Sequence, residues 1–178
     1  MQKEEIMLKV KRPKNRASRD RAEFAAAAAR IGYHYDQGIG TKQSYKTAIE
    51  WYKIAAKAGD AIAMYNLYMM YRDGTGVKRS VSTYLKWLKA SANAGDAEAI
   101  SDLGFVYFHG KDIKRNEKLG IELYKKAAKL GVARAHFNLG LAHLDFNTTA
   151  ADQKAKSYFK AAAQLGHEKA KRKLRRLR

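Results

Sequence analysis

Apolar and small residues recur along this chain at helical spacing and are broken at regular intervals by glycine. Between residues 61 and 95, Ala63, Leu67 and Tyr71 stand four apart, which places them on one face of a helix. Asp73-Gly74-Thr75-Gly76 interrupts that pattern, since glycine reaches positive φ without a steric penalty and breaks a helix. A second helix is expected from about Ser80 to Ala94, with Tyr84, Trp87, Leu88, Ser91 and Ala92 at three-to-four spacing. Gly95 then fits the position just past a helix end. The stretch reads as a helical hairpin.

The hairpin repeats. Gly59, Gly95, Gly131 and Gly166 are spaced by 36, 36 and 35 residues, and similar words surround them: AAKAGDA, ASANAGDAEA, KKAAKLGVARA and AAAQLGHEKA. Ile31-Gly32, Leu67-Tyr68, Leu103-Gly104 and Leu139-Gly140 fall at one place in each unit. Four units follow, 25–60, 61–96, 97–132 and 133–167, behind a basic segment 1–24 that is extended or partly helical. Residues 168–178 start a fifth first helix, with Ala170 and Leu174 in register, and read as a basic capping helix. A single hairpin cannot bury both faces, so stacking on neighbours must supply the core. Trp51, Tyr52, Trp87, Leu88, Leu123, Tyr124, Tyr158 and Phe159 are expected to fill the space between hairpins.

Taken together, these residues resemble the Sel1-like repeat family, relatives of tetratricopeptide repeats. Unit two carries the pattern in Ala61, Ala63, Tyr65, Asn66, Leu67, Met70, Tyr71, Gly74, Gly76 and Val77, then Trp87, Ala92 and Gly95. Unit one carries it in Ala25, Ala27, Gly32, Tyr35, Gly38 and Gly40, then Ala48, Trp51, Tyr52, Ala55, Ala56 and Gly59. The likeness covers 25–167, about four-fifths of the chain. It implies an all-α fold, a right-handed α/α superhelical solenoid of four helix-turn-helix repeats plus the C-terminal capping helix. Two departures stand out: Lys111-Asp112 ends the third unit's glycine loop, predicting a reshaped loop, and Phe146-Asn147-Thr148-Thr149 replaces the fourth.

The resemblance also implies a working surface, because first helices line the concave side of such a stack. Borrowed tetratricopeptide geometry points the second, fifth, ninth and twelfth residues of each unit into that groove. The partner-binding candidates are therefore Tyr33, Ile62, Tyr65, Met69, Arg72, Phe105, Phe108, Arg134, Phe137 and Leu141. Aromatic and arginine anchors on a contiguous apolar surface are typical of protein interfaces. Aromatics at helical spacing also serve as packing between adjacent first helices. The partner implied is a peptide or helix of another protein, and the family likeness implies an adaptor or scaffold.

Charge adds a second theme. The formal net charge is +19 over 178 residues. Residues 1–24 hold eight basic and four acidic side chains, and residues 168–178 hold seven and one. Lys11, Arg12, Lys14 and Arg16 at one end, with Lys169, Lys171, Arg172, Lys173, Arg175, Arg176 and Arg178 at the other, are candidates for polyanion contact. The alternative function is thus a component of a ribonucleoprotein or DNA-associated complex. Cations near a helix C-terminus also complement the macrodipole, so part of this placement is structural. No base-reading motif is present, and oligomeric state is not legible.

Chemistry is sparse. The chain has no cysteine, which excludes disulfides and thiolate metal sites. His136 and His143 can share a helix face with Asp145 nearby, but no third convergent ligand is evident, so neither metal nor cofactor is expected. The G-x-G pairs lie between helices rather than after a strand, which fails the context a phosphate loop requires. No nucleophile–base or paired-carboxylate pattern emerges, so the expected class is non-enzymatic. With no secretory h-region and no apolar run of membrane-spanning length, an intracellular and mainly cytoplasmic location is expected, with nucleus or organelle matrix left open.

Overall fold

The computed structural model describes residues 16–144 and 149–177. Among the described residues there are nine helices and no strand: α1 (Arg16–Gln37), α2 (Tyr45–Ala58), α3 (Ala61–Asp73), α4 (Val81–Ala94), α5 (Ala97–His109), α6 (Glu117–Lys129), α7 (Ala133–Leu144), α8 (Thr149–Gln164) and α9 (Glu168–Arg176). They pair as four hairpins, α1/α2 to α7/α8, with α9 laid against α8. Extensive packing joins each helix to its chain neighbours, the nearest-neighbour arrangement of a solenoid.

Side-chain caps set the helix starts. Asp60 and Asp96, each just after a glycine, accept from the backbone N–H groups of Ala63 and Ala99 at 2.7 Å and so open α3 and α5. Ser44, Ser80 and Asn116 cap α2, α4 and α6 in the same manner. Each such cap contributes about 1 kcal/mol. Gly59 and Gly95 close α2 and α4 in the left-handed conformation, at φ 103° and 98°. α1 starts well ahead of the first repeat, at Arg16. Arg21 on that extension donates to the Lys57 and Ala58 carbonyls at the end of α2, so one charge of the basic segment serves as a cap.

A glycine-against-ring rule organises three of the hairpins. A Cβ at Gly32 would come within 2.7 Å of the Tyr52 ring, at Gly104 within 2.9 Å of Tyr124, and at Gly140 within 2.6 Å of Phe159. These rings therefore pack inside their own hairpins, and each also shares a buried cluster with the next unit, Tyr52 with Leu67, Tyr124 with Leu139 and Phe159 with Ala170, as expected. The half-buried Trp87 does bridge, packing against the cores on both sides of it. Hairpin two inverts the rule: Tyr68 stands at the glycine register, and the smaller Leu88 stands at the ring register. Both are buried in one core cluster. Tyr84 likewise occupies a register held by the small Ala48, Gly120 and Ala155 elsewhere.

The third loop is not reshaped, contrary to expectation. Asp112 adopts φ 62°, close to the 68° of Gly40 and Gly76 at the same register. Aspartate tolerates this region better than most side chains. Its carboxylate accepts from the Tyr84 hydroxyl and lies 3.6 Å from Arg79. The replaced fourth loop falls outside the described residues.

His136 and His143 do share a face of α7, and both rings approach Tyr158, with centroids at 6.3 and 5.4 Å. Burial holds both below the ordinary imidazole value, and Lys154 and Lys125 push His143 the same way. The unfolded chain therefore binds these protons first. Stability is full above the unfolded-state value of 6.5 and falls as pH drops toward the depressed folded values. The melting temperature is expected to fall between about pH 7.5 and about pH 5.5, above the carboxylate range, and His136→Gln/His143→Gln should flatten that slope. An unchanged slope in the double variant would contradict this assignment.

Candidate partner-binding groove

The predicted groove residues divide into two groups. Tyr33, Ile62, Phe105 and Leu141 are exposed, Ile62 at 62% and Phe105 at 41%. Tyr65, Met69, Phe108 and Phe137 are half-buried. Phe108 lies 6.0 Å from the Tyr124 ring and presses its backbone against Gly120, where an added Cβ would come within 2.8 Å of the Phe108 N and Cα. Phe137 is stacked on His167 at 4.5 Å and tilted against Phe159 at 5.6 Å. These two rings give much of their surface to packing, so the free apolar area comes from Tyr33, Ile62, Phe105 and Leu141.

A cavity of about 280 Å³ opens along α3, α5 and α7, with Tyr68, Arg72, Asp102, Phe105, Arg134 and Asn138 in its lining together with Tyr84 and Lys111. Both arginines of its lining are already paired. Arg134 Nη2 lies 2.7 Å from both Glu98 Oε2 and Asp102 Oδ1. The Tyr65 hydroxyl donates to Asp102 Oδ2 at 2.9 Å. Burial, then Asp102, pushes the Tyr65 hydroxyl far above its ordinary range, so it stays a donor at any ordinary pH. Arg72 donates twice to Asp73, at 2.7 and 2.8 Å, and once to the Tyr68 hydroxyl at 3.1 Å. The two arginines among the groove candidates are therefore held by carboxylates, which fixes their geometry before any partner arrives.

The Sel1 repeat model matches residues 25–60, 61–96, 97–132 and 133–167. The chain belongs to the Sel1 repeat family. A Sel1 repeat protein from Oxalobacter formigenes superposes with a TM-score of 0.79 at 34% identity, over 84% of this chain and 62% of that one. The uropathogenic Escherichia coli protective antigen c5321, described as having an SLR fold, gives 0.76 at 26% identity, over 86% of this chain and 33% of that one. This chain thus spans less than two-thirds of either relative. Helicobacter pylori cysteine rich protein B shares the fold, with a TM-score of 0.54 at 17% identity, over 67% of this chain and 92% of that one. Comparison with curated proteins gives no match. Sel1 repeats generally serve as protein-interaction scaffolds rather than catalytic folds. Among the described residues no helix is long and apolar enough to cross a membrane.

Within the Sel1 frame, three of the cavity residues that sequence reasoning missed are departures from the repeat. Tyr68 and Tyr84 replace small residues, and Asp102 stands where units two and four have Asn66 and Asn138. Asp102 is only 8% exposed. Asp102→Leu removes the acceptor of Tyr65 and one partner of Arg134, which keeps Glu98. A loss of about 2 kcal/mol is expected in urea unfolding, because an orphaned buried donor costs roughly 1–3 kcal/mol. Wild-type stability in this variant would show that water replaces the carboxylate.

The basic ends are only partly described. Lys11, Arg12, Lys14 and Arg178 lie outside the described residues, and Arg16 is exposed at the start of α1. On α9, Lys171 pairs with Glu168 at 2.7 Å. Lys169, Arg172, Lys173 and Arg176 instead border a depression of about 250 Å³ beside Phe137. No group of three His, Asp or Glu side chains converges among the described residues, and Asp145 lies outside them.

Proposed function

We propose that this chain is a non-enzymatic adaptor that holds a peptide or helix of a partner protein in the groove along its first helices. The observation that carries this reading is the cavity between α3, α5 and α7. There the exposed Phe105 stands beside two arginines already locked by Asp73, Glu98 and Asp102. A rigid aromatic next to pre-paired polar groups offers a partner apolar burial without first ordering the site.

Site-specific photo-crosslinking tests the proposal. A benzophenone amino acid at position 105 is expected to give discrete protein adducts, and the same label at Lys89, exposed on α4, to give none. Equal labelling from both positions, or none from 105, would remove the groove assignment. Phe105→Ala is the companion variant, since Phe108 also supports Gly120 and Tyr124. Capture by the wild-type groove should survive raised salt.

A further inference from the structure

The basic tail is a continuation of the groove. Counted one repeat on from α7, Lys169, Arg172, Lys173 and Arg176 take the registers of Arg134, Phe137, Asn138 and Leu141. The cavities confirm the continuity. The first one shares Asn138 with a depression of about 370 Å³ that also involves Phe108 and Leu141. That depression shares Lys173 with the one beside Phe137. The groove therefore runs from an aromatic middle to a cationic end.

Register also separates the α9 charges by role. Lys171 and Arg175 fall where Ile100 and Gly104 face the second helix of their hairpin. On that side Lys171 pairs with Glu168 at 2.7 Å. Lys169, Arg172, Lys173 and Arg176 point the other way. Among the described residues none of the four has a carboxylate at ion-pair distance, whereas Arg72 and Arg134 both do. Four cations side by side, with Glu168 near Arg172 as a partial counter-charge, repel one another and favour an incoming anion.

Resting on the adaptor reading above, we propose that the occupant is an acidic peptide segment of a partner protein. Its apolar side chains lie beside Phe105 and Leu141, and its Asp or Glu cluster meets Lys169, Arg172, Lys173 and Arg176. The apolar stretch argues for a peptide over a nucleic acid, since a phosphate backbone has nothing to place there. Base stacking is disfavoured as well, because Phe137 already has His167 against one face and Phe159 beside it. Burial and the neighbouring Lys169 hold His167 below its ordinary value, so it adds no charge near neutral pH.

The test uses the full chain as bait for a phage-displayed library of random peptides about 16 residues long. Selected peptides are expected to carry Asp or Glu clusters next to apolar residues. The tightest of them should lose about tenfold or more in affinity against Lys169→Gln/Arg172→Gln/Arg176→Gln, and stay within about twofold against Lys171→Gln/Arg175→Gln. All five positions are exposed, so matched circular dichroism and melting curves will show that both variants fold. Selection without acidic enrichment, selection of nothing, or equal losses in the two charge variants would overturn the proposal. Displacement of the peptide by a single-stranded RNA of about 15 nucleotides at lower concentration would also do so, and would assign the cations to nucleic acid. Phe105→Ala separates the two readings. A peptide weakened by Phe105→Ala but indifferent to the triple charge variant leaves the groove and removes its acidic occupant. One weakened by the charge variant but indifferent to Phe105→Ala removes the groove, and the inference with it.

Discussion

Tyr68→Gly is expected to lower the unfolding free energy by about 5 kcal/mol, and adding Leu88→Tyr to return at least half of that. Emptying a buried aromatic site costs roughly 3–5 kcal/mol, and glycine inside a helix costs about 1 kcal/mol more. Leu88 cannot fill the space, because it is the smaller partner in an inverted pair. Leu88→Tyr alone places two rings where the other hairpins hold one, and overpacking of this kind costs roughly 1–3 kcal/mol. The double variant restores the glycine-against-tyrosine pair seen at Gly32/Tyr52 and Gly104/Tyr124. A urea-unfolding double-mutant cycle measures the coupling, and simple additivity would contradict the register equivalence. The same double variant takes the Tyr68 ring out of the cavity wall and the hydroxyl away from Arg72. It should therefore fold yet bind its partner more weakly, separating stability from function.

Phe159→Ala is expected to cost about 4 kcal/mol, and to cost it locally. Phe159 is fully buried in a small cluster with Ala155, Ala162 and Ala170, and Phe137, Leu174 and Leu177 pack around it. That cluster is all that the described residues show beneath α9, so the ring couples α7, α8 and α9. Because contacts run between chain neighbours, the damage should not spread far up the stack. Hydrogen exchange should show α7 to α9 opening while α2 to α5 keep their protection. Uniform loss of protection would show that the array unfolds as one unit. The variant should also release the α9 cations from the groove, so acidic-peptide binding falls with this local opening.

Much of this fold could be read in the sequence because its punctuation is chemical. The glycines near 59, 95, 131 and 166 are needed for positive φ, and the Asp after two of them is needed as a cap. Such residues carry a signal independent of tertiary context. The partners of the rings were less legible. Tyr52, Tyr124 and Phe159 were expected between hairpins and do share core with the next unit, but the missing Cβ that seats each ring across its own hairpin is not encoded by helical periodicity. Asp112 was misread for a related reason, since aspartate can hold the glycine conformation when Tyr84 and Arg79 engage its carboxylate.

The candidate groove shows the same division. Register alone named Ile62, Phe105, Arg72 and Arg134, all of which border or lie along the first-helix face. It could not show that the arginines are paired, because their partners are the adjacent Asp73 and a set one repeat away, Glu98 and Asp102. Register also divides the α9 cations into two faces, but it could not show that Lys171 is paired with Glu168 while the other face borders a depression beside Phe137.

The central claim is that the first-helix face, from α3 to α9, is the binding surface. Hydrogen exchange of the full chain with and without the tightest selected peptide measures it directly. Added protection is expected on α3, α5, α7 and α9, on the turns bearing Arg72, Phe105, Leu141 and Arg172, with α4, α6 and α8 unchanged. Protection confined to the second helices, or spread evenly over both sets, would contradict the account.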